Sequence, residues 1–168
     1  MMEFKSRIIS SLEKVFCDQP LAAEAIRSSS ALQGEIYSFQ TAYFCDCKID
    51  FAIQIDSPLR NLITVREVEY VPLLLPAGIS QPEHVLRTTS GLYPDPLSAV
   101  SNSARALPRQ WHALWLTVRI PEDYSAGCYD IEIRFMHEGN NIPLELKLDV
   151  TEKFNLRILP VKLPAKNL

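Results

Sequence analysis

Aromatic side chains with polar neighbours are the residues of this chain whose chemistry points to a ligand. Sugar rings stack their apolar faces on aromatic rings, while nearby polar groups fix their orientation. The candidate set is Tyr93, Asp95, Trp111, His112 and Trp115. Large aromatic side chains also dominate protein interfaces of every kind, so packing explains the same residues. We expect packing or contact with a neighbouring domain to outweigh sugar binding.

Catalysis needs groups that this sequence does not bring together. A glycosidase uses two carboxyl groups about 5 to 9.5 Å apart across a cleft, one of them with a raised pKa. Asp95, Glu122 and Asp123 are the carboxylates in suggestive surroundings, but the last two are consecutive in a polar corner, where turn formation explains them. No Ser-His-Asp or Cys-His arrangement and no Gly-rich phosphate loop accompanies them. The sequence therefore predicts no enzyme activity and no cofactor.

The cysteines are weak candidates for a metal site. Cys45 and Cys47 are two apart in a strand-like segment, so their side chains should share a face about 6.6 Å apart and should not bridge to each other. Metal clusters use thiols and imidazoles at tight spacings, and the histidines here are scattered. We therefore predict no metal site. We expect free buried thiols in a reducing cytoplasm at Cys17, Cys45, Cys47 and Cys128.

Length and charge limit the class of protein. A chain of 168 residues can bury roughly 70% of its unfolded surface, which suits one domain with a two-layer core. Lys plus Arg is 17 and Asp plus Glu is 20, with no block of either sign, so nucleic acid and anionic membranes are not expected partners. The apolar runs are too short to span a bilayer, and the first residues lack the apolar core of a signal peptide. We expect a cytoplasmic protein.

Strands are the elements that must position the candidate residues. From residue 111 to 120, apolar and mixed positions alternate, which is typical of a strand with two faces. The more uniformly apolar face consists of Leu114, Leu116, Val118 and Ile120. Trp111, Trp115, Thr117 and Arg119 should therefore point away from that core. We expect the segment 80–108 or a neighbouring domain to cover this second face. Arg119 could then pair with a carboxylate of the neighbouring domain.

A polar corner and a hairpin follow that strand. Pro121 ends it, and the corner leads to Tyr129, whose hydroxyl we expect to bond backbone near the corner. This is how an immunoglobulin-like sandwich passes from one sheet to the other. Residues 131–137 and 142–150 should then pair as a hairpin around the Gly139-Asn140 turn signal.

The rest of the chain predicts more strands and one long loop. Residues 36–44, 49–56 and 63–75 have strand patterns, residues 4–15 fit a helix or a strand, and residues 21–26 suit a brief helical turn. Residues 80–108 are rich in proline and have no sustained period, which indicates a loop lobe. About seven strands predict an all-β fold, an antiparallel immunoglobulin-like or jelly-roll-like β-sandwich with a long Pro-rich loop lobe.

Three pieces of sequence carry a family resemblance. They are Ser-Ala-Leu-Gln-Gly-Glu-Ile-Tyr-Ser-Phe-Gln at 30–40, Gly-Leu-Tyr-Pro-Asp-Pro-Leu at 91–97, and the strand and corner at 115–129. In this order they resemble the N-terminal β-sandwich of glycoside hydrolase family 123 and its uncharacterised relatives. The Ser-Leu-Glu-Lys-Val-Phe piece at 11–16 is similar as well, so the resemblance extends from about residue 10 to the end. It implies that the first segment is a strand.

The resemblance also implies an accessory role. In that family the sandwich precedes a (β/α)8 barrel, and an adjacent Asp-Glu pair in the barrel hydrolyses N-acetylgalactosaminides. No carboxylate of this chain corresponds to that pair, and residues 156–168 are similar to the connector into the barrel. We therefore expect a sandwich domain at 1–157 and a connector at 158–168, with the barrel as partner. The alternative is a carbohydrate-binding module with its own affinity for N-acetylhexosamine-containing glycans.

Overall fold

A computed structural model describes residues 2–74 and 86–152 of the protein. Its described part consists of strands joined by turns, with one short 3-10 turn at Arg60–Leu62. No helix of this part is long and apolar enough to cross a membrane. The strands are β1 (Phe4–Ser10), β2 (Ser28–Leu32), β3 (Ile36–Cys45), β4 (Ile49–Asp56), β5 (Ile63–Leu73), β6 (Gly91–Ala99), β7 (Ser103–Ala106), β8 (Gln110–Arg119), β9 (Gly127–His137) and β10 (Asn140–Thr151).

The strands form two five-stranded sheets. Sheet I has the order β1-β3-β8-β5-β6, and sheet II has the order β2-β10-β9-β4-β7. Neighbouring strands are antiparallel in both sheets, except that β2 runs parallel to β10. The predicted all-β sandwich is confirmed, with a mixed second sheet and with more strands than the sequence pattern indicated. The immunoglobulin-like or jelly-roll-like subtype stays a prediction.

The core lies between the sheets and follows the predicted alternation of β8. Leu114, Leu116 and Val118 are fully buried on its inner face and meet the apolar side chains of sheet II. β4 alternates buried and exposed residues along its whole length, as its sequence pattern predicts. Burial of these aliphatic side chains, at about 1.5 to 3 kcal/mol each, is the main force that holds the sheets together.

The corner after β8 passes from sheet I to sheet II, as expected. The Tyr129 hydroxyl donates to the Ser125 carbonyl at 2.8 Å, so the predicted corner tyrosine is confirmed. The β9–β10 hairpin is also confirmed, but its turn lies one residue earlier than the Gly-Asn signal indicates. His137 pairs directly with Asn140, and Glu138 and Gly139 have φ angles of 46° and 80°. Both turn residues are thus left-handed, as a two-residue type I′ turn requires.

Two expectations for the middle of the chain are wrong. The predicted loop lobe at 80–108 contains β6 and β7 within its described part, which begins at residue 86. Pro94 and Pro96 fit a strand there because β6 is the edge of sheet I and pairs with β5 alone. Residues 21–26 form no helical turn. The ambiguous first segment is the strand β1, as the family resemblance implied.

Candidate functional site

A segment without regular structure covers part of the outer face of sheet I. It runs from residue 11 to residue 27, between β1 and β2, and we call it the strap. Gln40 Nε2 donates to the Ser10 and Glu13 carbonyls at 3.2 and 2.8 Å. The Tyr70 hydroxyl is 3.1 Å from the Val15 carbonyl and 2.8 Å from the Trp111 carbonyl. The buried Gln40 and the half-buried Tyr70 hold the strap against β3, β5 and β8.

Trp111 lies beneath the strap and is not available to a ligand. Only 8% of its surface is exposed, and it belongs to a second small core with Val15, Ala23 and Val68. Its backbone N–H donates to the Cys17 carbonyl at 3.2 Å. The prediction that Trp111 points away from the main core is confirmed. Its cover is the strap, which the sequence pattern did not indicate, and neither the segment 80–108 nor another domain is needed for it.

His112 projects from the opposite face of β8 and is separated from the tryptophans. Its ring stacks on Tyr43 at 5.5 Å, and its Nε2 atom accepts from the Leu107 N–H at 3.3 Å. Burial lowers the pKa of His112 from 6.5 to about 4, because the charged imidazolium would lose its water. The ring is therefore neutral at pH 7. The His112 side chain therefore lies in the interior and does not line a site with the other candidate residues.

Three of the candidate residues do come together beside the strap. Trp115 and Asp95 line a cleft of about 210 Å³, and Tyr93 and Asp95 line an adjoining cleft of about 460 Å³. Lys14 and Pro94 line both clefts, and the Lys14 ammonium is 3.4 Å from the Pro94 carbonyl. We call the two together the strap cleft. It combines aromatic and apolar walls with two acidic residues, Glu13 and Asp95, and two basic residues, Lys14 and Arg87.

The polar atoms of Trp115 and Tyr93 in the strap cleft have hydrogen-bond partners inside the protein. Trp115 Nε1 donates to Thr117 Oγ1 at 3.1 Å. The Tyr93 hydroxyl donates to the Thr89 carbonyl at 2.6 Å and lies 3.2 Å from the Arg87 carbonyl. The rings therefore offer apolar surface to the cleft, while Glu13, Lys14 and Asp95 are charged groups that could fix the orientation of a polar ligand.

Arg87 closes the far end of the strap cleft, and sequence reasoning missed it. Its guanidinium lies 5.3 Å from the rings of both Phe16 and Tyr93, and it forms a two-pronged ion pair with Asp18 at 2.7 and 2.8 Å. The hydrogen bond from Arg87 lowers the pKa of Asp18. This cluster ties the strap to the start of β6. Residues so far apart in sequence carry no periodic signal of such a contact.

Arg119 lies on the same face as Trp115 but away from the strap cleft. Its cross-strand neighbour on β3 is Ile36, which is 53% exposed. The described residues form no ion pair with Arg119. The strap leaves this part of sheet I uncovered. We call it the open face, and it consists of the outward residues Ile36, Ser38, Thr64, Arg66, Trp115, Thr117 and Arg119.

The cysteines differ from expectation in two ways. Cys17 and Cys45 are buried as predicted, but Cys47 and Cys128 are exposed. The 6.6 Å spacing predicted for Cys45 and Cys47 is also wrong, because β3 ends at Cys45 and the chain bends there. The two sulfurs lie 3.6 Å apart. The hydrogen bond to Cys45 is the main cause that raises the pKa of Cys47, to about 11.

The fold and the strap cleft define a β-sandwich domain with an aromatic cleft on one sheet. Its sequence matches no known family model and no curated protein. Its structure is similar to a family 123 glycoside hydrolase from Clostridium perfringens, whose structural analysis concerned glycolipid glycan hydrolysis. The TM-score is 0.65 at 13% identity over 89% of this chain. The chain spans only 27% of that hydrolase's length.

Other solved structures are less similar. The sporulation control protein Spo0M from Bacillus subtilis aligns over 86% of this chain and 49% of its own, with 8% identity and a TM-score of 0.40. A type I cohesin from Pseudobacteroides cellulosolvens aligns over 78% and 92%, with 10% identity and a TM-score of 0.30. The family 123 likeness therefore describes the fold, as a distant structural relationship to one part of a hydrolase chain.

Proposed function

We propose that this chain is a non-catalytic accessory domain of a family 123-like glycoside hydrolase and packs against a C-terminal barrel. The observation that carries the proposal is the likeness of nearly the whole chain to about a quarter of such a hydrolase. The sequence pieces that resemble the family's N-terminal sandwich support it independently. The proposal includes the division into a sandwich at 1–157 and a connector at 158–168. Residues 153–168 lie outside the described part of the chain.

The open face is the surface that suits contact with a barrel. Ile36 and Arg119 are exposed and directly opposite each other on neighbouring strands. The half-buried Trp115 lies further along the same face, beyond Thr117. Interfaces between domains combine such apolar and aromatic anchors with Arg, whose planar group pairs with carboxylates. The dispersed charge pattern supports a further part of the proposal, which is that nucleic acid and anionic membranes are not partners. The proposal also keeps the expected cytoplasmic location.

The strap cleft supports a second candidate function, glycan binding by the sandwich itself. Trp115 and Tyr93 present apolar ring surface, and Asp95 is a hydrogen-bond acceptor between them. Such a combination is common in small-ligand sites. The indole N–H of Trp115 and the hydroxyl of Tyr93 already donate to groups within the protein, so fewer polar groups are available to a sugar. For this reason packing against a barrel stays the first proposal.

Ile36→Glu in the intact protein tests the packing proposal. A carboxylate placed in an apolar contact loses solvation, so we expect a loss of about 1 to 3 kcal/mol of unfolding free energy in the intact protein. The isolated sandwich should change little. Met136→Glu is the matched control, because Met136 is 42% exposed on the outer face of sheet II. Equal effects of the two substitutions in the intact protein, or an intact protein that ends at Leu168, would contradict the proposal.

Calorimetric titration of the sandwich separates the two functions. The probes are oligosaccharides that contain N-acetylgalactosamine, at millimolar concentration. The packing proposal predicts no binding heat. Binding that Asp95→Ala abolishes and the surface control Asp149→Ala preserves would establish the glycan function. Trp115→Ala should then weaken binding as well, whereas Trp111→Ala would act only through stability because Trp111 is buried.

A further inference from the structure

The turn between β3 and β4 places two thiols and a carboxylate together. Cys45 and Cys47 have their sulfurs 3.6 Å apart, and Asp46 Oδ1 is 3.8 Å from the Cys45 sulfur. One ligand atom from each of the three residues lies within 4.8 Å of the others. No other group of this kind occurs in residues 2–74 and 86–152. The strap cleft and the open face do not include this turn, so it is independent of the proposed function.

The turn is held in place from three sides. Glu3 N donates to Asp46 Oδ1 at 3.0 Å, and Asp46 N donates to the Glu3 carbonyl at 3.1 Å. Arg109 N donates to the Cys45 carbonyl at 2.7 Å. Cys45 itself is part of the buried core. Ligands fixed by packing and backbone hydrogen bonds lose little freedom on binding, which favours a specific site.

The sulfur spacing suits chelation of one metal ion. Zinc bonds to cysteine sulfur at about 2.3 Å, so two sulfurs on a tetrahedral ion lie about 3.8 Å apart. The observed separation of 3.6 Å is close to that value. Thiolates select soft ions such as zinc and copper(I), and a carboxylate oxygen is a further zinc ligand. Cys47 is exposed and Asp46 is half-buried, so an ion can approach from solvent on the side of Cys47 and reach the buried Cys45 sulfur beside it.

We propose that Cys45, Asp46 and Cys47 bind one thiophilic metal ion of the zinc and copper(I) class. The two thiols lose their protons to solvent on binding, the three side chains supply S, S and O ligands, and water completes the coordination. Reversible oxidation of the pair by a peroxide is the competing chemistry. The thiol and mass measurements described below distinguish the two chemistries.

Zinc competition against a chromophoric chelator tests the proposal. The full chain is kept reduced with a phosphine and titrated with zinc, and we expect one equivalent to bind. Cys47→Ser should weaken zinc binding at least about tenfold, Asp46→Asn should weaken it by a smaller factor, and Cys128→Ser should leave it unchanged. Cys47 is exposed, so its replacement spares the core, which circular dichroism checks.

Cobalt and thiol measurements give a second readout. Cobalt(II) bound by this site should show thiolate charge-transfer absorption that disappears in the double variant Cys45→Ser/Cys47→Ser and persists in Cys128→Ser. Equal zinc affinity of the wild type and Cys47→Ser would overturn the proposal. Loss of two titratable thiols in air, with a mass lower by two hydrogens and no protection by zinc, would also overturn it and would identify a redox pair instead.

Discussion

At the scale of single residues, the motifs that resemble the hydrolase family have structural tasks in this chain. Glu35 Oε2 accepts from the Leu32 backbone N–H at 2.7 Å, across the turn that precedes β3. Gln40 anchors the strap, and the Tyr93 hydroxyl anchors the turn at Thr89. These residues specify local geometry at points where backbone groups would otherwise lack partners. The motifs therefore predict the shape of the sandwich better than they predict a ligand.

His112 should make stability depend on pH. Its pKa is 6.5 in an unfolded chain and about 4 in the fold, so between these values the unfolded state binds more protons. The stability that the neutral, buried His112 ring allows is fully present above pH 6.5, and it is lost as pH falls toward 4 because the unfolded chain takes up the proton first. Over the whole shift it amounts to about 3 kcal/mol. His112→Gln removes the titration and keeps an acceptor for the Leu107 N–H.

Urea unfolding at several pH values measures the effect. The free-energy loss between pH 7 and pH 4.5 should be smaller in His112→Gln than in the wild type. Asp18 and Asp50, whose carboxylates are hydrogen-bonded by arginines, also favour the fold above their lowered pKa values. Only the difference between the two proteins therefore reports on His112. An unchanged slope in the variant would show that the ring is accessible to water in the fold.

At the scale of elements, the strap is the feature with most influence on the candidate site. It buries Trp111, supplies Lys14 and Phe16 to the strap cleft, and divides the outer face of sheet I. It has no regular backbone pairing of its own, so a few polar side chains, a small apolar core and single backbone hydrogen bonds hold it in place. An element of this kind opens locally at lower free energy than the strands beneath it.

Gln40→Met should release the strap. Methionine has a similar volume but cannot donate to the Ser10 and Glu13 carbonyls, so we expect a loss of about 1 to 3 kcal/mol and faster amide exchange in residues 11–27. Gln54→Met is the matched control, because Gln54 is exposed on β4. Hydrogen exchange followed by mass spectrometry localises the change. A uniform change over both sheets, or none in the strap, would contradict this role of Gln40.

At the scale of the whole molecule, a cluster of aromatic rings joins the two sheets. Phe135 lies 5.0 Å from Phe51 within sheet II, and 5.8 Å from both Phe4 and Tyr43 of sheet I. The rings pack edge to face or tilted, which is the preferred arrangement for aromatic pairs. The cluster makes the two sheets one cooperative unit.

Phe135→Ala should destabilise the whole sandwich by about 3 to 5 kcal/mol, because it removes a buried ring and leaves a cavity between the sheets. The two tryptophans of sheet I report on unfolding by fluorescence, and circular dichroism reports on both sheets. We expect one coincident transition by both probes, shifted to lower urea concentration. Met136→Ala, at the exposed position next in sequence, should shift it little. Separate transitions would mean that the sheets unfold independently.

The sequence alone was sufficient for the features that depend on local pattern. The alternation in β4 and β8, the corner tyrosine and the hairpin all follow from the two-residue period of strands and from turn chemistry. The same pattern reasoning did not identify the edge strand β6. The prolines of β6 resemble loop signals, and only pairing with β5 shows that they lie on a free edge.

The tertiary structure alone decided which candidate residues meet. The patterns within residues 11–27 do not indicate which strands this segment contacts, so the sequence could not show that it covers Trp111 and forms one wall of the strap cleft. His112 shares a strand with the tryptophans, yet the pleat turns it into the interior. The two sulfurs of Cys45 and Cys47 are close because the strand ends between them. Periodicity determines the face of a strand, whereas contacts between distant segments depend on how the whole chain packs.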